Sequence, residues 1–260
     1  MSAMRLFILT VCLFGASAPA FAWGRDGHRL SCAIALDVMA PSVREEAFAI
    51  LDITRSEDFL ELCFWAERVK AAQPETASWH SMLLPRGADA INLARDCPEP
   101  KSCVVSRVVQ EIGTLKSDAP KAQKATALKL LMHLIADLHQ PLNIGFADDE
   151  GGRKIPAVFL GRDTTLHDIW ETGLLDAGRV APGADHETLW LAHEVQTHPA
   201  PLDWAKESFF IMRGPATGYI GNPGGMTFDE RYVQQNRPIA MGQLEKAGVR
   251  LGLTLNDALR

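Results

Sequence analysis

Residues 128–142, LKLLMHLIADLHQPL, decide how the remainder of the chain is interpreted. A helix over this stretch places His133 and Asp137, four residues apart, on one face and about one turn apart. Pro141 ends that helix, because its ring cannot continue the hydrogen-bond ladder. An imidazole nitrogen and a carboxylate oxygen at this spacing can bind one zinc ion. A core histidine beside a surface carboxylate would give the same pair, so the assignment depends on further ligands elsewhere.

Length and charge limit the possible classes of protein. The chain has 260 residues, of which 47% are hydrophobic, which is enough for one sizeable core. Its formal net charge of -6 argues against binding of duplex nucleic acid through a broad positively charged surface. A nuclease is not excluded, because metal ions can supply positive charge locally.

The first 22 residues have the pattern of a secretory signal peptide. Arg5 precedes a short apolar run at 6–16, and Ala-Phe-Ala at 20–22 matches an A-x-A cleavage site. The apolar run is too short to span a bilayer, and no later segment reaches transmembrane length. We therefore expect an exported mature chain that begins at Trp23 and resides in a periplasm or outside the cell.

Four cysteines remain once Cys12 leaves with the signal peptide. An even number of cysteines in an oxidising compartment indicates disulfides. Cys97 and Cys103 flank CPEPKSC, whose two prolines suit a tight closed loop, and Cys32 and Cys63 would then pair across two helices. Four buried free thiols are the alternative. The CxxC spacing of zinc fingers is absent from the sequence.

Helical patterns dominate the chain, and no repeat or domain linker interrupts them. The sequence predicts an all-α fold, a single multi-helix domain over residues 23–260 with at most a small β-hairpin. Residues 155–160 are apolar and β-prone and can form that hairpin with the residues before them. The predicted helices lie within 23–40, 43–51, 58–72, 104–115, 128–142, 185–196, 201–211 and 241–259, with a further helix capped at 164–165.

Ligand-type atoms occur at five places in the exported chain. These are the Trp23 amine with His28, then Glu67, His80, His133 with Asp137, and His167 with Glu171. The last pair again has helical i, i+4 spacing, although any such pair can be a solvated ion pair. Their order around a new N-terminal tryptophan is the stronger signal.

These residues belong to segments that resemble the S1/P1 nuclease family, zinc enzymes related to bacterial zinc phospholipase C. The similar segments run in the family's order and cover nearly the whole mature chain. They are WGRDGH at Trp23, FWAERVK at Phe64, WH at Trp79, RDCPEPKSCVV at Arg95, MHLIADLHQPL at Met132, GGRK at Gly151, TTLHDIWETGLL at Thr164 and AGVRLGLTLN at Ala247.

The resemblance implies three zinc ions (Zn2+) as cofactors. The first would be held by Glu67, His80, His133 and Asp137. The second would take the amine and carbonyl of Trp23, with His28 and a bridging Asp137. The third would use position 143, His167 and Glu171. The resemblance also assigns catalytic roles to Glu67, Lys70 and Asp137, with Lys70 near the scissile phosphate. His139 points away from the helix face of His133 and Asp137 and is interpreted as structural. His186, His193 and His198 are interpreted as surface residues.

Two ligand positions depart from the family pattern in ways that matter for zinc. Glu67 stands where the family has Asp, so its extra methylene shifts the carboxylate. Asn143 stands where the family has a histidine, and a neutral amide oxygen is a poor zinc ligand. The third site is therefore expected to be weaker than the other two. Glu171 replaces the nuclease Asp, a mild change that the phospholipase branch shares.

The predicted substrate-binding residues also depart from the family. Ser81 and Leu83 occupy positions where the nucleases carry an aromatic ring and a polar side chain that hold the nucleobase. Loss of a stacking ring costs about 1–3 kcal/mol per base. Arg153 replaces a usual Asn and can compensate by contacting phosphate, as Lys70 does.

Three functions remain open on these grounds. The first is a zinc-dependent endonuclease or phosphodiesterase that acts on single-stranded nucleic acid or nucleotides and gives 5′-phosphate products. The second is a related phosphoesterase acting on phospholipid head groups. The third is a degenerate member that binds metal with little turnover. In each case we expect a monomer without a stable protein partner or a transmembrane segment.

Overall fold

Helices make up most of the described backbone. The computed structural model describes residues 23–98, 103–177, 200–220 and 226–260. The α-helices are α1 Gly24–Val38, α2 Pro41–Leu51, α3 Ser56–Leu62, α4 Trp65–Ala72, α5 Leu93–Asp96, α6 Val104–Lys116, α7 Lys121–Leu138, α8 Leu166–Asp168, α9 Leu174–Asp176, α10 Pro201–Arg213 and α11 Glu230–Ala258. The remaining elements are 3-10 turns at Pro74–His80, Pro141–Ile144 and Pro215–Thr217, a π turn at Ile169–Gly173, and strands β1 Pro156–Phe159, β2 Arg162–Thr165 and β3 Met226–Phe228.

Some sequence predictions fall outside these described ranges. They are the signal peptide at 1–22 with Cys12, the helix at 185–196, and the surface positions assigned to His186, His193 and His198.

Helix α7, which contains most of residues 128–142, is the centre of packing. From Ala127 to Leu138 all but Lys129 are buried, a pattern typical of a helix enclosed on every side. Helices α1, α2, α4, α6 and α11 pack around it. The helix ends at Leu138, just before Pro141, so the predicted stop is confirmed. The side chains of His133 and Asp137 on α7 are therefore held rigidly inside the core.

Helix α11 is longer than the predicted helix at 241–259. It begins at Glu230, where the side chain of Asp229 accepts hydrogen bonds from the backbone N–H groups of Arg231 and Tyr232. Pro238 lies inside this helix. A proline removes one ladder hydrogen bond and usually ends a helix, which is why the sequence pattern placed the start too late.

A glycine allows α11 to approach α1 closely. A Cβ added to Gly248 would lie 2.6 Å from the Cβ of Ile34 and 2.6 Å from the backbone oxygen of Ser31, whereas a Cβ on Gly242 would meet nothing within 4 Å. We expect Gly248→Ala to lower the free energy of unfolding by about 1–3 kcal/mol through overpacking. Gly242→Ala should raise it by about 0.5–1 kcal/mol, because alanine favours the helix. Urea unfolding of both variants measures the difference, and equal effects would contradict the close packing.

Two disulfides confirm the predicted cysteine pairing and exclude the free-thiol alternative. Cys32 on α1 is bonded to Cys63, and Cys97 is bonded to Cys103.

The predicted single helix at 58–72 is wrong, and Cys63 accounts for the difference. The chain forms α3 and α4 with a break at residues 63–64. The disulfide holds Cys63 there, and its carbonyl accepts a side-chain hydrogen bond.

The predicted hairpin exists, but its partner strand and its size differ from the prediction. Strand β1 pairs antiparallel with β2, which follows it, and not with residues that precede it. Strand β3 adds a parallel partner on the other edge of β1 and makes a three-stranded sheet. Three residues are too few to show a periodicity, so β3 gave no signal in the sequence. The all-α class holds with this small sheet. Among the described residues, none of the helices has the length and apolarity to cross a bilayer.

Candidate metal centre

Three elements bring histidine and carboxylate side chains to one face of α7. His133 Nε2 lies 3.3 Å from Asp137 Oδ2, as expected for residues one turn apart. His80, at the end of a 3-10 turn, places Nδ1 2.8 Å from the same oxygen. Glu67 on α4 places Oε2 3.5 Å from His133 Nε2. On the other side, His28 Nε2 of α1 lies 3.5 Å from Asp137 Oδ1.

The donor atoms of this cluster fit a metal ion. Two groups have ligand atoms within 4.8 Å of one another, namely His28, His133 and Asp137, and Glu67, His80 and His133. All of these residues are buried. His133 Nε2 and Asp137 Oδ1 have no hydrogen-bond partner among the described residues. Because an unpartnered buried polar atom is costly, a cation between these atoms accounts for the arrangement.

The cluster holds its two carboxylates in the charged form. Burial alone would raise the pKa of Asp137, but the positive charge of His133 and the hydrogen bond from His80 lower that pKa well below its usual value. Burial is likewise outweighed at Glu67, whose pKa is lowered by His133 and Lys70. Burial lowers the pKa of His80 despite its bond to Asp137. Ionised carboxylates are the form that binds zinc, and His133, whose pKa the two carboxylates raise despite its burial, would release its proton on binding the ion.

Outer contacts orient the imidazole of His133. Its Nδ1 donates to the carbonyl of Cys63 at 2.8 Å, which leaves Nε2 directed at the cluster. The rings of His28 and His133 are stacked with centroids 3.8 Å apart, and Phe64 meets both rings edge-on. Such second partners fix the tautomer and the direction of a metal-binding histidine.

Trp23 is anchored beside the same helix. Its side chain is fully buried, and the indole Nε1 donates to the carbonyl of Ala136 at 2.8 Å. The backbone of the next residue, Gly24, opposes the burial that raises the pKa of Glu171. A Cβ on Gly24 would lie 2.7 Å from Thr172 Cγ2. The backbone at Trp23 is thus fixed between α7 and the segment that carries Glu171.

The residues predicted for a third site lie close by but form a poorer set of ligands. His167 is fully buried, donates Nδ1 to the carbonyl of Gly151 at 2.7 Å, and has Nε2 3.5 Å from Gln140 Nε2. Burial raises the pKa of Glu171 to about 8. Asn143 donates Nδ2 to the carbonyl of Asp137 at 3.0 Å, which leaves a buried, unpartnered Oδ1. In the described parts of the chain, no group of three His, Cys, Asp or Glu ligand atoms includes His167.

The predicted substrate-binding residues are partly exposed, unlike the buried cluster. Lys70 forms an ion pair with Glu67, and its side chain is 19% exposed. Ser81 and Leu83 are partly exposed. Arg153 is also partly exposed; its charge adds to the burial that lowers the pKa of His167 and partly offsets the burial that raises the pKa of Glu171. Two cations therefore approach the centre, and neither Ser81 nor Leu83 offers an aromatic ring for stacking.

His139 lies apart from the cluster, where the sequence placed it. Its Nδ1 bonds the carbonyl of Ile135, and Arg250 donates to its Nε2 at 2.6 Å. Burial and the nearby Arg250 charge lower the pKa of His139 to about 3. A neutral imidazole that links α7 to α11 fits a structural residue.

Several supporting residues were missed by the sequence interpretation. Gln140 and Gly151 lie in the HQPL and GGRK segments, so their proximity to ligands was visible, but their contacts to Asn143 and His167 were not. Asp149 and Tyr219, which hydrogen-bond each other over 70 positions, had no signal, because nothing local in the sequence connects them.

Comparison with known proteins finds relatives named as nucleases. Endonuclease 2 of Arabidopsis thaliana is 26% identical over 280 residues, covering 96% of this chain and 95% of that protein. Endonuclease 1 of the same plant is 25% identical over 286 residues, covering 98% and 93%. Nuclease S1 of Aspergillus oryzae is 27% identical over 180 residues, covering 65% and 60%. The pattern of the S1/P1 Nuclease family matches residues 23–260, and the chain therefore belongs to the S1/P1 nuclease family.

Proposed function

We propose that the chain is an exported zinc-dependent phosphodiesterase that hydrolyses single-stranded DNA or RNA, and 3′-nucleotides, to 5′-phosphate products. The observation that carries this proposal is the buried set of histidine and carboxylate atoms on α7, of which His133 Nε2 and Asp137 Oδ1 have no hydrogen-bond partner among the described residues. The relatives named as endonucleases, which match over nearly their whole length, support the substrate class.

Zinc is the proposed metal because imidazole and carboxylate together suit it better than they suit calcium or magnesium. Three ions would be held as follows: one by Glu67, His80, His133 and Asp137, one by Trp23, His28 and Asp137, and one by Asn143, His167 and Glu171. Zinc bound in this way lowers the pKa of water and neutralises charge on a phosphate.

The surrounding residues position and stabilise the substrate. Lys70 extends from α4 beside Glu67 and presents its ammonium to the phosphate, where charge develops during the reaction. Arg153 presents a second cation near His167 and Glu171. Ser81 and Leu83 contact the nucleotide without stacking, so preference among bases is weak. Asp137 contacts both ligand groups and fixes their spacing.

Removal of residues 1–22 would couple export to activity. A free Trp23 amine exists only after cleavage, and the burial of Trp23 against α7 holds that amine in one place. We propose a periplasmic or secreted monomer on this basis. One additional residue before Trp23 should reduce bound zinc, and unchanged zinc content would contradict the role of the amine.

The test is the activity of the zinc-loaded mature chain on single-stranded DNA, RNA and phosphatidylcholine, side by side. We expect acid-soluble nucleotides from both nucleic acids and loss of activity on chelation. Hydrolysis of phosphatidylcholine alone would instead support a phospholipase, the alternative that Ser81 and Leu83 favour. Full zinc loading without turnover on any substrate would support a degenerate member.

Asn143→His tests the weak ligand at the third site. A histidine nitrogen would replace a neutral amide oxygen, so bound zinc should rise from about two ions per chain toward three, and turnover with it. Asn143→Ala removes the side-chain ligand and serves as the control, with zinc at or below the wild-type value. Zinc is measured by mass spectrometry of the metal after dialysis, and equal contents in all three proteins would contradict the account of position 143.

A further inference from the structure

We propose that Asp149 and Tyr219 are positioning residues for the third metal site, which they control through the carbonyl of Gly151 that orients His167. The inference deepens the proposed function and rests on it. Neither residue contacts a proposed metal ligand directly, so each acts through the backbone of residues 145–154.

The first step is the dependence of His167 on one carbonyl. His167 Nδ1 donates to Gly151 O at 2.7 Å, and its backbone N–H donates to Gly152 O at 3.3 Å. With Nδ1 protonated, Nε2 carries the lone pair that a metal requires. If this carbonyl moved, the ring would lose the contact that fixes its tautomer and direction.

The second step is that the backbone at Gly151 needs support from outside. Gly151 and Gly152 have φ angles of +66° and +85°, a region that only glycine adopts readily. A Cβ on Gly151 would lie 2.3 Å from Leu142 O, so no side chain can fill or stiffen this position. The conformation must therefore be held by neighbouring hydrogen bonds.

Gly151 donates its own backbone N–H to Phe146 O at 2.9 Å, and Asp149 and Tyr219 supply the side-chain bonds around it. Asp149 Oδ1 accepts from the backbone N–H of Gly152 at 2.8 Å and from the hydroxyl of Tyr219 at 2.5 Å. The same hydroxyl accepts from the backbone N–H of Phe146 at 2.9 Å. Tyr219 is 1% exposed and comes from a distant part of the chain. One hydroxyl thus ties Phe146 directly, and Gly152 through Asp149, to the core.

Arg86 completes the arrangement from the surface side. Its guanidinium forms ion pairs with Asp148, at 2.8 Å, and with Asp149. It also lies over the ring of Phe146, 4.6 Å from the centroid. The charge of Arg86 balances that of the buried Asp149 carboxylate, which would otherwise be costly to hold in place.

This support matters more here than at a site with a full set of strong ligands. Asn143 contributes a neutral amide oxygen, so His167 and Glu171 provide most of the binding. Loss of orientation at His167 should therefore appear as weaker binding of one ion, with little change at the cluster around His133.

The experiment compares Tyr219→Phe with Tyr232→Phe, which removes the other tyrosine hydroxyl of the chain. Tyr232 is also buried, but its hydroxyl bonds Trp170 and Thr217 and no atom of residues 145–154. Zinc binding is measured by titration against a chelator, and the His167 tautomer by nitrogen-15 NMR of the imidazole. Tyr219→Phe should weaken the last zinc by about tenfold or more, with the tighter ions unchanged and the Nδ1-protonated form of His167 depleted.

Affinity for the last zinc that is equal in the two tyrosine variants, or an unchanged His167 tautomer, would overturn the proposal. If Tyr219→Phe does not fold, Arg86→Gln carries the test against Arg95→Gln, since Arg95 pairs with Asp96 outside the segment. A loss of about tenfold in Arg86→Gln alone supports the proposal, and equal affinities overturn it. Absence of nucleic-acid hydrolysis by the zinc-loaded wild type would refute the proposed function without altering these readouts.

Discussion

Asp137→Asn is expected to lower turnover on single-stranded DNA by on the order of a thousandfold and to remove most bound zinc. Asp137 contacts His28 through Oδ1 and both His80 and His133 through Oδ2. Its pKa is lowered well below the usual range, so the native side chain is a carboxylate at neutral pH. An amide is neutral and turns an NH2 group toward nitrogen lone pairs or toward a cation.

Asp96→Asn is the matched control for this prediction. The side chain of Asp96 is also fully buried, but it pairs with Arg95 and accepts from the backbone N–H of Asn92. That substitution should reduce stability and leave zinc content and turnover per folded molecule unchanged. If Asp137→Asn kept its zinc, or if both variants lost activity in parallel, the shared role assigned to Asp137 would be wrong.

Opening the Cys32–Cys63 disulfide should weaken zinc binding by about tenfold or more. Cys32 lies one turn after His28 on α1, and the carbonyl of Cys63 accepts the Nδ1–H of His133. The disulfide lies outside the cluster, but it helps to position two of the proposed ligands, His28 and His133. The double variant Cys32→Ser/Cys63→Ser should also lose about 4 kcal/mol of unfolding free energy, because the bond closes a long loop.

The second disulfide gives the control. Cys97→Ser/Cys103→Ser opens a loop of sequence separation 6, so it should cost about 2 kcal/mol and leave zinc affinity unchanged. Both double variants are titrated with zinc at a temperature where circular dichroism shows them folded. Equal zinc affinity in the two would contradict a positioning role for the Cys32–Cys63 bond.

Helix periodicity and helix-breaking residues such as Pro141 predicted the parts of the fold that depend on residues close in sequence. Pro141 ended α7 as expected, and the spacing of His133 and Asp137 gave the one-turn contact that the structure contains. The cysteine count gave both disulfides. Each of these follows from residues close in sequence or from a small number of possible pairings.

Features that depend on distant partners were not predictable. The break between α3 and α4 exists because Cys63 is bonded to α1 and gives its carbonyl to His133. Strand β3 is stabilised by β1 across 69 positions. Helix α11 continues through Pro238 because packing against α1 and α7 outweighs one lost hydrogen bond. In the candidate site, the contacts of Gln140 with His167 and of Asp149 with Tyr219 likewise join residues that are distant in sequence.

The burial of α7 from Ala127 to Leu138, with only Lys129 excepted, has a consequence for the lifetime of the protein. The helix that carries His133 and Asp137 is also the helix on which most of the core packs. A ligand that binds only the folded chain stabilises it by mass action, so each tenfold rise in free zinc above the dissociation constant adds about 1.4 kcal/mol per ion. Resistance to proteases would then track the local zinc supply, and a chelating environment would shorten the survival of the molecule as well as stop its chemistry.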